Sequence, residues 1–296
     1  MFEGLTTALV TPFKYGELDE AGFRRLVRHQ LNSGTDGILV AGCTGEAATL
    51  SWDEIQRLII WADEEIRHHS RHAFLLAGTG LNSTEETIER TQAAQALGVD
   101  GVLLITPYYN KPSQEGLFAH YSEIASKTDV PLVLYNVPGR TGVNMLPKTV
   151  AKLAELDAVV AIKEAGGNLD QVSELMTLTG KITVLSGDDS LTLPMLAIGA
   201  HGVISTTSNV DPVRMARLLA CWRNTRLDEA RLVHGELYPL IKAMFVESNP
   251  MPVKAALSLM GMIENELRLP LTTVQVESFP TIERALRNAG LLENRS

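Results

Sequence analysis

A lysine ends a run of apolar residues in the segment VVAIKEAGG, residues 159–167. An unpaired ammonium is unfavourable to bury, so Lys163 is paired, reaches out of the core, or stays neutral in order to react. An amine kept neutral by apolar surroundings can attack a ketone or aldehyde and form a Schiff base. Glu164 is badly placed as an ionic partner, because neighbouring residues of a strand point to opposite faces. The segment therefore predicts a nucleophilic lysine, with a structural ion pair as the alternative.

Apolar runs of this kind recur along the chain, at residues 6–12, 37–42, 73–80, 101–109, 131–138, 159–165, 182–189 and 202–209. Each run is almost continuously apolar, as strands are when a parallel sheet buries both of their faces. Helical patterns lie between the runs; one begins with a capping box at Ser51 and Glu54, another with Asp211 and Pro212. Eight strand–helix units predict an α/β fold, the (β/α)8 or TIM barrel. A doubly wound open sheet is less favoured, because the turn after the first run, VTPFKYGE, is not a glycine-rich dinucleotide turn.

The chain beyond residue 225 has no strand pattern. Residues 228–245 and 251–261 have helical patterns, and the segment NPMP at 249–252 separates them. We therefore expect a barrel that carries the active site in residues 1–224 and a helical C-terminal domain in residues 225–296.

The C-terminal ends of the strands are where barrel enzymes carry their active sites. These ends hold many hydroxyl groups, one lysine and no histidine, in the segments TP (11–12), GCTGE (42–46), GTG (78–80), TPYYN (106–110), YN (135–136), KE (163–164), SGDD (186–189) and STTSN (205–209). A lysine with hydroxyl neighbours suits Schiff-base chemistry assisted by proton transfer.

The composition excludes several classes of partner. The 26 basic and 35 acidic residues leave a net charge of −9, which argues against nucleic acid or an anionic membrane surface. No apolar run approaches the roughly 20 residues of a membrane span. The N-terminus does not resemble a signal peptide, and the two cysteines form no disulfide framework or zinc spacing. We expect a cytoplasmic protein.

Metal and phosphate sites are also disfavoured. The close histidines His68, His69 and His72 fall at the end of a predicted helix, away from the strand ends, so no metal is expected. Asp188 and Asp189 end the seventh run, which is where barrel enzymes commonly bind a phosphate group. Two carboxylates there would repel phosphate, so a phosphorylated substrate is not expected.

Seven stretches, spread over essentially the whole chain, resemble the superfamily of class I aldolases that contains dihydrodipicolinate synthases and N-acetylneuraminate lyases. They are GCTGEAATL (42–50), AGTGLNST (77–84), TPYYNKPSQEG (106–116), YNVPGRTG (135–142), IKEAGGN (162–168), LSGDD (185–189) and HGVIS (201–205). The match is closest to the dihydrodipicolinate synthases. It implies condensation of pyruvate with L-aspartate semialdehyde to 4-hydroxy-tetrahydrodipicolinate, in lysine and diaminopimelate biosynthesis, with no cofactor beyond a covalent lysine imine.

The resemblance implies a role for each site residue. Lys163 would form the imine with pyruvate, and Tyr135 would relay protons. Thr44 and the amides of its loop would hold the pyruvate carboxylate. Arg140 would bind the carboxylate of the semialdehyde, and it distinguishes these synthases from the sugar-acid lyases. The main-chain carbonyls of two further residues, Gly187 and Ile204, would line the site.

The tyrosine pair of the TPYYN segment is implied to have two separate roles. Tyr109 would cross a subunit interface and complete the proton relay of a neighbouring chain, which implies a homotetramer built as a dimer of dimers. Tyr108 would face a regulatory lysine cleft together with Asn82 and Glu86.

Two departures from the family pattern change the expectations. Cys43 stands where the synthases carry the threonine of a Tyr–Thr–Tyr relay; a thiol is a poorer hydrogen-bonding group, although it can equally be a tolerated small apolar residue. Trp52, Ile55 and Ala47 replace polar residues of the regulatory cleft, so we expect weak or absent inhibition by lysine.

Two alternative functions remain. One is a pyruvate-dependent lyase for a sugar acid or a hydroxy-oxo acid, which would share Lys163 and Tyr135. The other is a catalytically silent relative that binds a keto acid, for which Cys43 is the only support.

Overall fold

A computed structural model describes residues 1–292, and its strands in chain order are β1 (Gly4–Ala8), β2 (Phe13–Lys14), β3 (Glu17–Leu18), β4 (Gly37–Val40), β5 (Phe74–Gly78), β6 (Gly101–Ile105), β7 (Leu132–Asn136), β8 (Val159–Glu164), β9 (Thr183–Ser186) and β10 (Gly202–Ser205). Eight of them form a closed barrel in the order β1-β10-β9-β8-β7-β6-β5-β4, and all neighbours are parallel. The predicted (β/α)8 barrel is confirmed. Strands β2 and β3 form a separate antiparallel hairpin.

The strands are shorter than the apolar runs that predict them. The run at 101–109, for example, pairs only as far as Ile105 and continues as a loop. The difference has a physical reason, because each run continues past the last ladder hydrogen bond into the segment that lines the mouth of the barrel.

The helices lie between and after the barrel strands, and in chain order they are α1 (Glu20–Asn32), α2 (Trp52–His68), α3 (Thr84–Ala96), α4 (Gln114–Lys127), α5 (Pro138–Thr141), α6 (Pro147–Leu153), α7 (Leu169–Leu178), α8 (Thr192–Ile198), α9 (Pro212–Arg223), α10 (Leu227–Met244), α11 (Met251–Leu259) and α12 (Phe279–Asn288). The capping box at the start of α2 is present in both directions, between Ser51 and Glu54. Asp211 caps α9, with Pro212 as its first residue. Both helix starts predicted from the sequence are confirmed.

The barrel interior is filled by alternate residues of the strands. Leu39, Leu76, Leu103, Val133 and Ala161 form one apolar cluster, which also contains Tyr135. Because side chains alternate along a strand, Tyr135 and Lys163 share the inward face with Val133 and Ala161, two residues earlier. Both therefore enter the barrel from the C-terminal ends of their strands.

The segment after α9 holds three helices, α10, α11 and α12, and no strand within residues 225–292, as the sequence predicts; a non-helical stretch at 260–278 separates α11 from α12. Helix α10 packs on α9 through Val233, Leu237 and Ile241, which contact Leu218 and Met215 in a cluster of their own. The division into domains 1–224 and 225–296 stays a prediction, and its last four residues lie outside the described residues. Each helix within residues 1–292 is too short or too polar to cross a lipid bilayer.

Candidate active site

Lys163 is the inward-facing residue at the end of β8, and only 6% of its surface is exposed. Its register partner on β7 is Tyr135, and the Lys163 Nζ lies 4.3 Å from the centroid of the Tyr135 ring. Burial lowers the pKa of Lys163, although Cys43, Asp189 and Asp188 partly offset that effect by favouring the charged amine. The surroundings therefore raise the fraction of the amine that is neutral and able to attack a carbonyl.

Glu164 is not the ionic partner of Lys163. Its carboxylate lies on the outer face of β8, where it accepts hydrogen bonds from Asn136 Nδ2 at 3.0 and 3.2 Å and from the Gly166 amide at 2.6 Å. Gln171 of α7 donates a further hydrogen bond at 3.3 Å. Burial raises the pKa of Glu164, and these donors oppose the rise. The outward position agrees with strand alternation, and the structural ion pair considered for Lys163 is absent from residues 1–292.

Tyr135 is buried beside Lys163, with 5% of its surface exposed. Burial raises the pKa of its phenol well above 10, and the neighbouring Cys43 raises it further. A phenol that keeps its proton can donate a hydrogen bond to an oxygen that leaves or gains charge. Nucleophile and proton donor are thus adjacent.

The loop after β4 presents hydroxyl and amide groups to the same end of the barrel. Thr44 is buried; its Oγ1 lies 3.3 Å from the Thr206 Oγ1 and accepts a hydrogen bond from Asn249 Nδ2 at 2.9 Å. The amides of Gly45 and Glu46 donate to carbonyls within the loop. Within residues 1–292, the amides of Cys43 and Thr44 donate to no protein acceptor. Free backbone N–H groups beside a hydroxyl are suited to bind a carboxylate.

Arg140 lies in the short helix α5, directly after β7, with its guanidinium exposed. Its Nη2 donates to the carbonyl oxygen of Asn249 at 3.2 Å. Its charge acts on both Tyr135 and Lys163, lowering the pKa of each, although burial is the largest influence on both. Arg140 therefore adds positive charge at the mouth of the site.

Gly187 lies beside the lysine, and Ile204 lies in the barrel interior near Tyr135. A Cβ at Gly187 would be 3.1 Å from the Lys163 Cε and 2.6 Å from the Ala165 Cβ, so only glycine fits there. Ile204 is fully buried and belongs to the apolar cluster inside the barrel. Gly187 thus provides space for the lysine, and Ile204 belongs to the same cluster as Tyr135.

Cys43 is half-buried and is a free thiol. It packs against the apolar cluster that contains Tyr135, and its electrostatic influence extends to the pKa of Tyr135, Lys163 and Tyr108. The structure therefore brings Cys43 into the candidate site from the strand opposite the lysine.

The two tyrosines after β6 differ in their exposure. Tyr108 is half-buried, and burial raises its pKa, with smaller influences from Arg90, Glu86 and Cys43. Tyr109 has a left-handed backbone, with φ of 72°, and 90% of its surface is exposed. Within one chain, Tyr108 is thus partly packed against its neighbours, whereas the Tyr109 side chain is open to solvent.

The three residues of the predicted regulatory cleft lie next to one another. Asn82 donates from Nδ2 to the Tyr108 carbonyl at 3.2 Å. Glu86 lies in the first turn of α3 and influences the pKa of Tyr108. The Arg90 Cζ lies over the Trp52 ring, 5.6 Å from its centroid. Ile55 is fully buried.

Asn249 is a site residue that the sequence did not reveal. It bonds to Thr44 through its side chain and to Arg140 through its carbonyl. It lies between α10 and α11, far from any strand end, and the NPMP pattern there predicts only a break between helices. No local signal could have placed it next to Thr44.

No metal centre is formed by the described residues, in which no three His, Cys, Asp or Glu side chains group closely enough to hold an ion. Of the three close histidines, His68 and His69 lie at the end of α2, where they bond to the Glu64 carbonyl and to Asn32. Their position is at the helix end predicted from the sequence.

Comparison with known proteins agrees with this geometry. The model of the dihydrodipicolinate synthetase family matches residues 1–289. A 4-hydroxy-tetrahydrodipicolinate synthase of Pelobacter propionicus is 53% identical over 99% of this chain and 100% of its own length.

Two solved structures are similar along their whole length. A dihydrodipicolinate synthase from Thermotoga maritima shares 47% identity with a TM-score of 0.96, covering 99% of this chain and 100% of that one. A dihydrodipicolinate synthase from Acinetobacter baumannii, crystallised in complex with pyruvate, shares 41% identity with a TM-score of 0.95, with the same coverage of 99% and 100%.

Proposed function

The chain belongs to the dihydrodipicolinate synthetase family, and from that premise we propose how its site condenses pyruvate with L-aspartate semialdehyde to give 4-hydroxy-tetrahydrodipicolinate. The observation that carries this proposal is the burial of Lys163 against Tyr135, 4.3 Å from the ring centroid, at the C-terminal end of the barrel. The reaction is a class I aldolase condensation that serves lysine and diaminopimelate biosynthesis. The covalent lysine imine is the only activating group, so we propose that no cofactor takes part.

The neutral amine of Lys163 attacks the keto carbon of pyruvate, and loss of water leaves an iminium. The iminium withdraws electrons, so the pyruvate methyl group loses a proton and becomes a nucleophilic enamine. Tyr135 supplies the proton with which the keto oxygen leaves as water. The enamine carbon then forms a bond to the aldehyde carbon of the semialdehyde, the aldehyde oxygen takes up a proton to become the hydroxyl of the product, and the iminium on Lys163 is restored. The amino group of that substrate displaces Lys163 from the keto carbon, which closes the ring and frees the enzyme.

The two substrate carboxylates have separate partners in this scheme. Thr44, with the free amides of its loop, holds the carboxylate of pyruvate. Arg140 holds the carboxylate of the semialdehyde, since a guanidinium matches the fork of carboxylate oxygens. The carbonyls of Gly187 and Ile204 line the pocket around the imine.

Oligomeric contacts complete the site. The exposed Tyr109 side chain, held outward by a left-handed backbone, is suited to enter a neighbouring copy and to continue the relay from Tyr135 through Cys43. We propose a homotetramer, a dimer of dimers, located in the cytoplasm. Asn82, Glu86 and Tyr108 form a regulatory cleft that binds lysine weakly.

Turnover of pyruvate with L-aspartate semialdehyde, coupled to dihydrodipicolinate reductase and followed as nicotinamide oxidation, tests the function. Borohydride reduction with pyruvate tests the imine separately, as a mass increase on wild-type protein that Lys163→Ala lacks. Trapping without turnover would favour a lyase for a different aldehyde. Absence of both, in folded protein, would favour a silent keto-acid binder.

A further inference from the structure

A buried ion pair connects the loop that carries Thr44 to helix α11. Lys254 of α11 donates from Nζ to the Glu46 Oε1 at 2.6 Å, and both side chains are 0% exposed. The same Nζ donates to the Thr11 carbonyl at 2.9 Å and stands 4.3 Å from the centroid of the Phe13 ring. Neither member of the pair has a part in the condensation chemistry.

Glu46 holds an unfavourable backbone conformation. Its φ of 56° and ψ of 35° lie in the left-handed region, which residues other than glycine, asparagine and aspartate rarely occupy. The turn places the Gly45 and Glu46 amides on the carbonyls of Gly42 and Cys43. As a result, the amides of Cys43 and Thr44 are the ones left free for a ligand. The left-handed turn at Glu46 also lets the Ala47 amide donate back to the Gly42 carbonyl at 3.3 Å, which closes the loop around Cys43 and Thr44.

The C-terminal segment also supplies the partner of the second carboxylate oxygen of Glu46. That oxygen accepts from the Arg268 amide at 3.2 Å, while the Arg268 guanidinium donates to the Thr49 carbonyl at 3.1 Å. Thr11, whose carbonyl accepts from Lys254, donates from its hydroxyl to the Gly45 carbonyl at 2.7 Å. The loop is thus held at three points, namely the Gly45 carbonyl, the Glu46 carboxylate and the Thr49 carbonyl.

Stability alone is a poor reason for such a pair. Desolvating two charges offsets most of their attraction, and well-packed apolar residues of the same volume are often as stable or more so. An ion pair does, however, fix direction and distance, which apolar contacts do not. We propose that Lys254 is a positioning residue, whose bond to Glu46 holds the loop in its left-handed turn so that the Thr44 hydroxyl and the Cys43 and Thr44 amides meet the pyruvate carboxylate. This inference rests on the proposed function.

The test compares Lys254→Met with the double variant Lys254→Met/Glu46→Gln. The single variant leaves the buried Glu46 carboxyl without its ammonium partner, so it lowers the unfolding temperature as well as activity. The double variant carries no buried charge at this position and regains the unfolding temperature. It still lacks the ionic bond to the loop, so we expect the pyruvate concentration for half-maximal borohydride trapping to stay raised by about tenfold, the scale of one charge-assisted hydrogen bond. We expect kcat at saturating pyruvate to fall by less than about threefold.

Arg24→Met is the matched control, because Arg24 joins α1 to Glu64 and Glu65 of α2 on the outside of the barrel. It should leave half-saturation by pyruvate unchanged. The inference is overturned if the double variant binds pyruvate like the wild type, or if Arg24→Met weakens trapping to the same extent. Failure of the wild-type protein to trap pyruvate would instead overturn the proposed function, and with it this role of Lys254.

Discussion

Lys163 and Tyr135 are register partners on adjacent parallel strands, with the lysine Nζ 4.3 Å from the tyrosine ring. Burial shifts their pKa values in opposite directions, down for the amine and up for the phenol. Desolvation disfavours the charged form of each, which is the cation for lysine and the anion for tyrosine. One apolar wall therefore prepares both a neutral nucleophile and a neutral proton donor.

The rate should depend on pH in a way that reflects these shifts. Since Lys163 reacts as the free amine and its pKa is lowered, kcat/KM for pyruvate should rise with pH through a value below 10.5. The raised pKa of Tyr135 keeps the phenol protonated, so no fall due to its ionisation is expected below pH 10. A pH–rate profile of the wild type checks both limbs. An acid limb centred at the ordinary lysine value would contradict the assignment of Lys163.

Gly187→Ala should lower kcat by about 10-fold or more, because small displacements of a catalytic group are expensive in rate. The new Cβ would lie 2.6 Å from the Ala165 Cβ and 3.1 Å from the Lys163 Cε, so the lysine has to move. Gly180→Ala is the control, since a Cβ there meets nothing within 4 Å. Steady-state kinetics of the two folded variants make the comparison, and equal rates would show that Gly187 provides no necessary space.

Cys43→Thr should raise kcat by about threefold, because a hydroxyl donates and accepts hydrogen bonds better than a thiol. The side chain packs against the cluster that contains Tyr135, where a better hydrogen-bonding group would act on proton transfer. Cys221→Ala controls for loss of a thiol elsewhere, since Cys221 is buried in the cluster between α9 and α10. An unchanged kcat with normal folding would assign Cys43 the role of a tolerated apolar residue.

Lysine should inhibit turnover weakly or not at all. A zwitterion with a charged tail needs polar partners, yet Ile55 is fully buried and Trp52 stands against Arg90 at 5.6 Å. Initial rates measured over a lysine titration check this expectation. Half-inhibition at submillimolar lysine would show that Asn82, Glu86 and Tyr108 suffice to bind it.

Glu54→Gln should reduce stability at neutral pH but not in strong acid. The Arg268 guanidinium donates to both Glu54 oxygens, at 2.8 and 2.6 Å, and is the main cause that lowers the Glu54 pKa to about 2. The folded pKa lies below the ordinary 4.5, so the stabilisation is complete above pH 4.5 and is lost as the pH falls toward 2.

Unfolding temperatures of wild type and variant between pH 7 and pH 2.5 should therefore converge in acid. Glu277→Gln, at an exposed position outside the described ion pairs, should differ little from wild type at any pH. If the difference in unfolding temperature between wild type and Glu54→Gln did not change with pH, the stabilising role of the Glu54–Arg268 ion pair would be contradicted.

Much of the site could be predicted because of how a barrel places residues. The apolar runs predict strands, and the C-terminal ends of parallel strands meet at one mouth whatever their separation in sequence. Strand alternation correctly separates Lys163, which faces inward, from Glu164, which bonds to Asn136 and Gln171 outside. The family resemblance then assigns roles to residues such as Thr44 and Arg140, which remain proposals.

The sequence by itself determined the barrel, the position of Lys163 at a strand end and the family, because each depends on local pattern or ordered motifs. Only the tertiary structure decided how the C-terminal segment serves the site. The bonds from Asn249 to Thr44 and from Lys254 to Glu46 join residues separated by 205 and 208 positions. Helical periodicity states which face of α11 is apolar, but it does not state what lies opposite. The residues opposite α11 are set by how the helices after β10 pack back over the barrel.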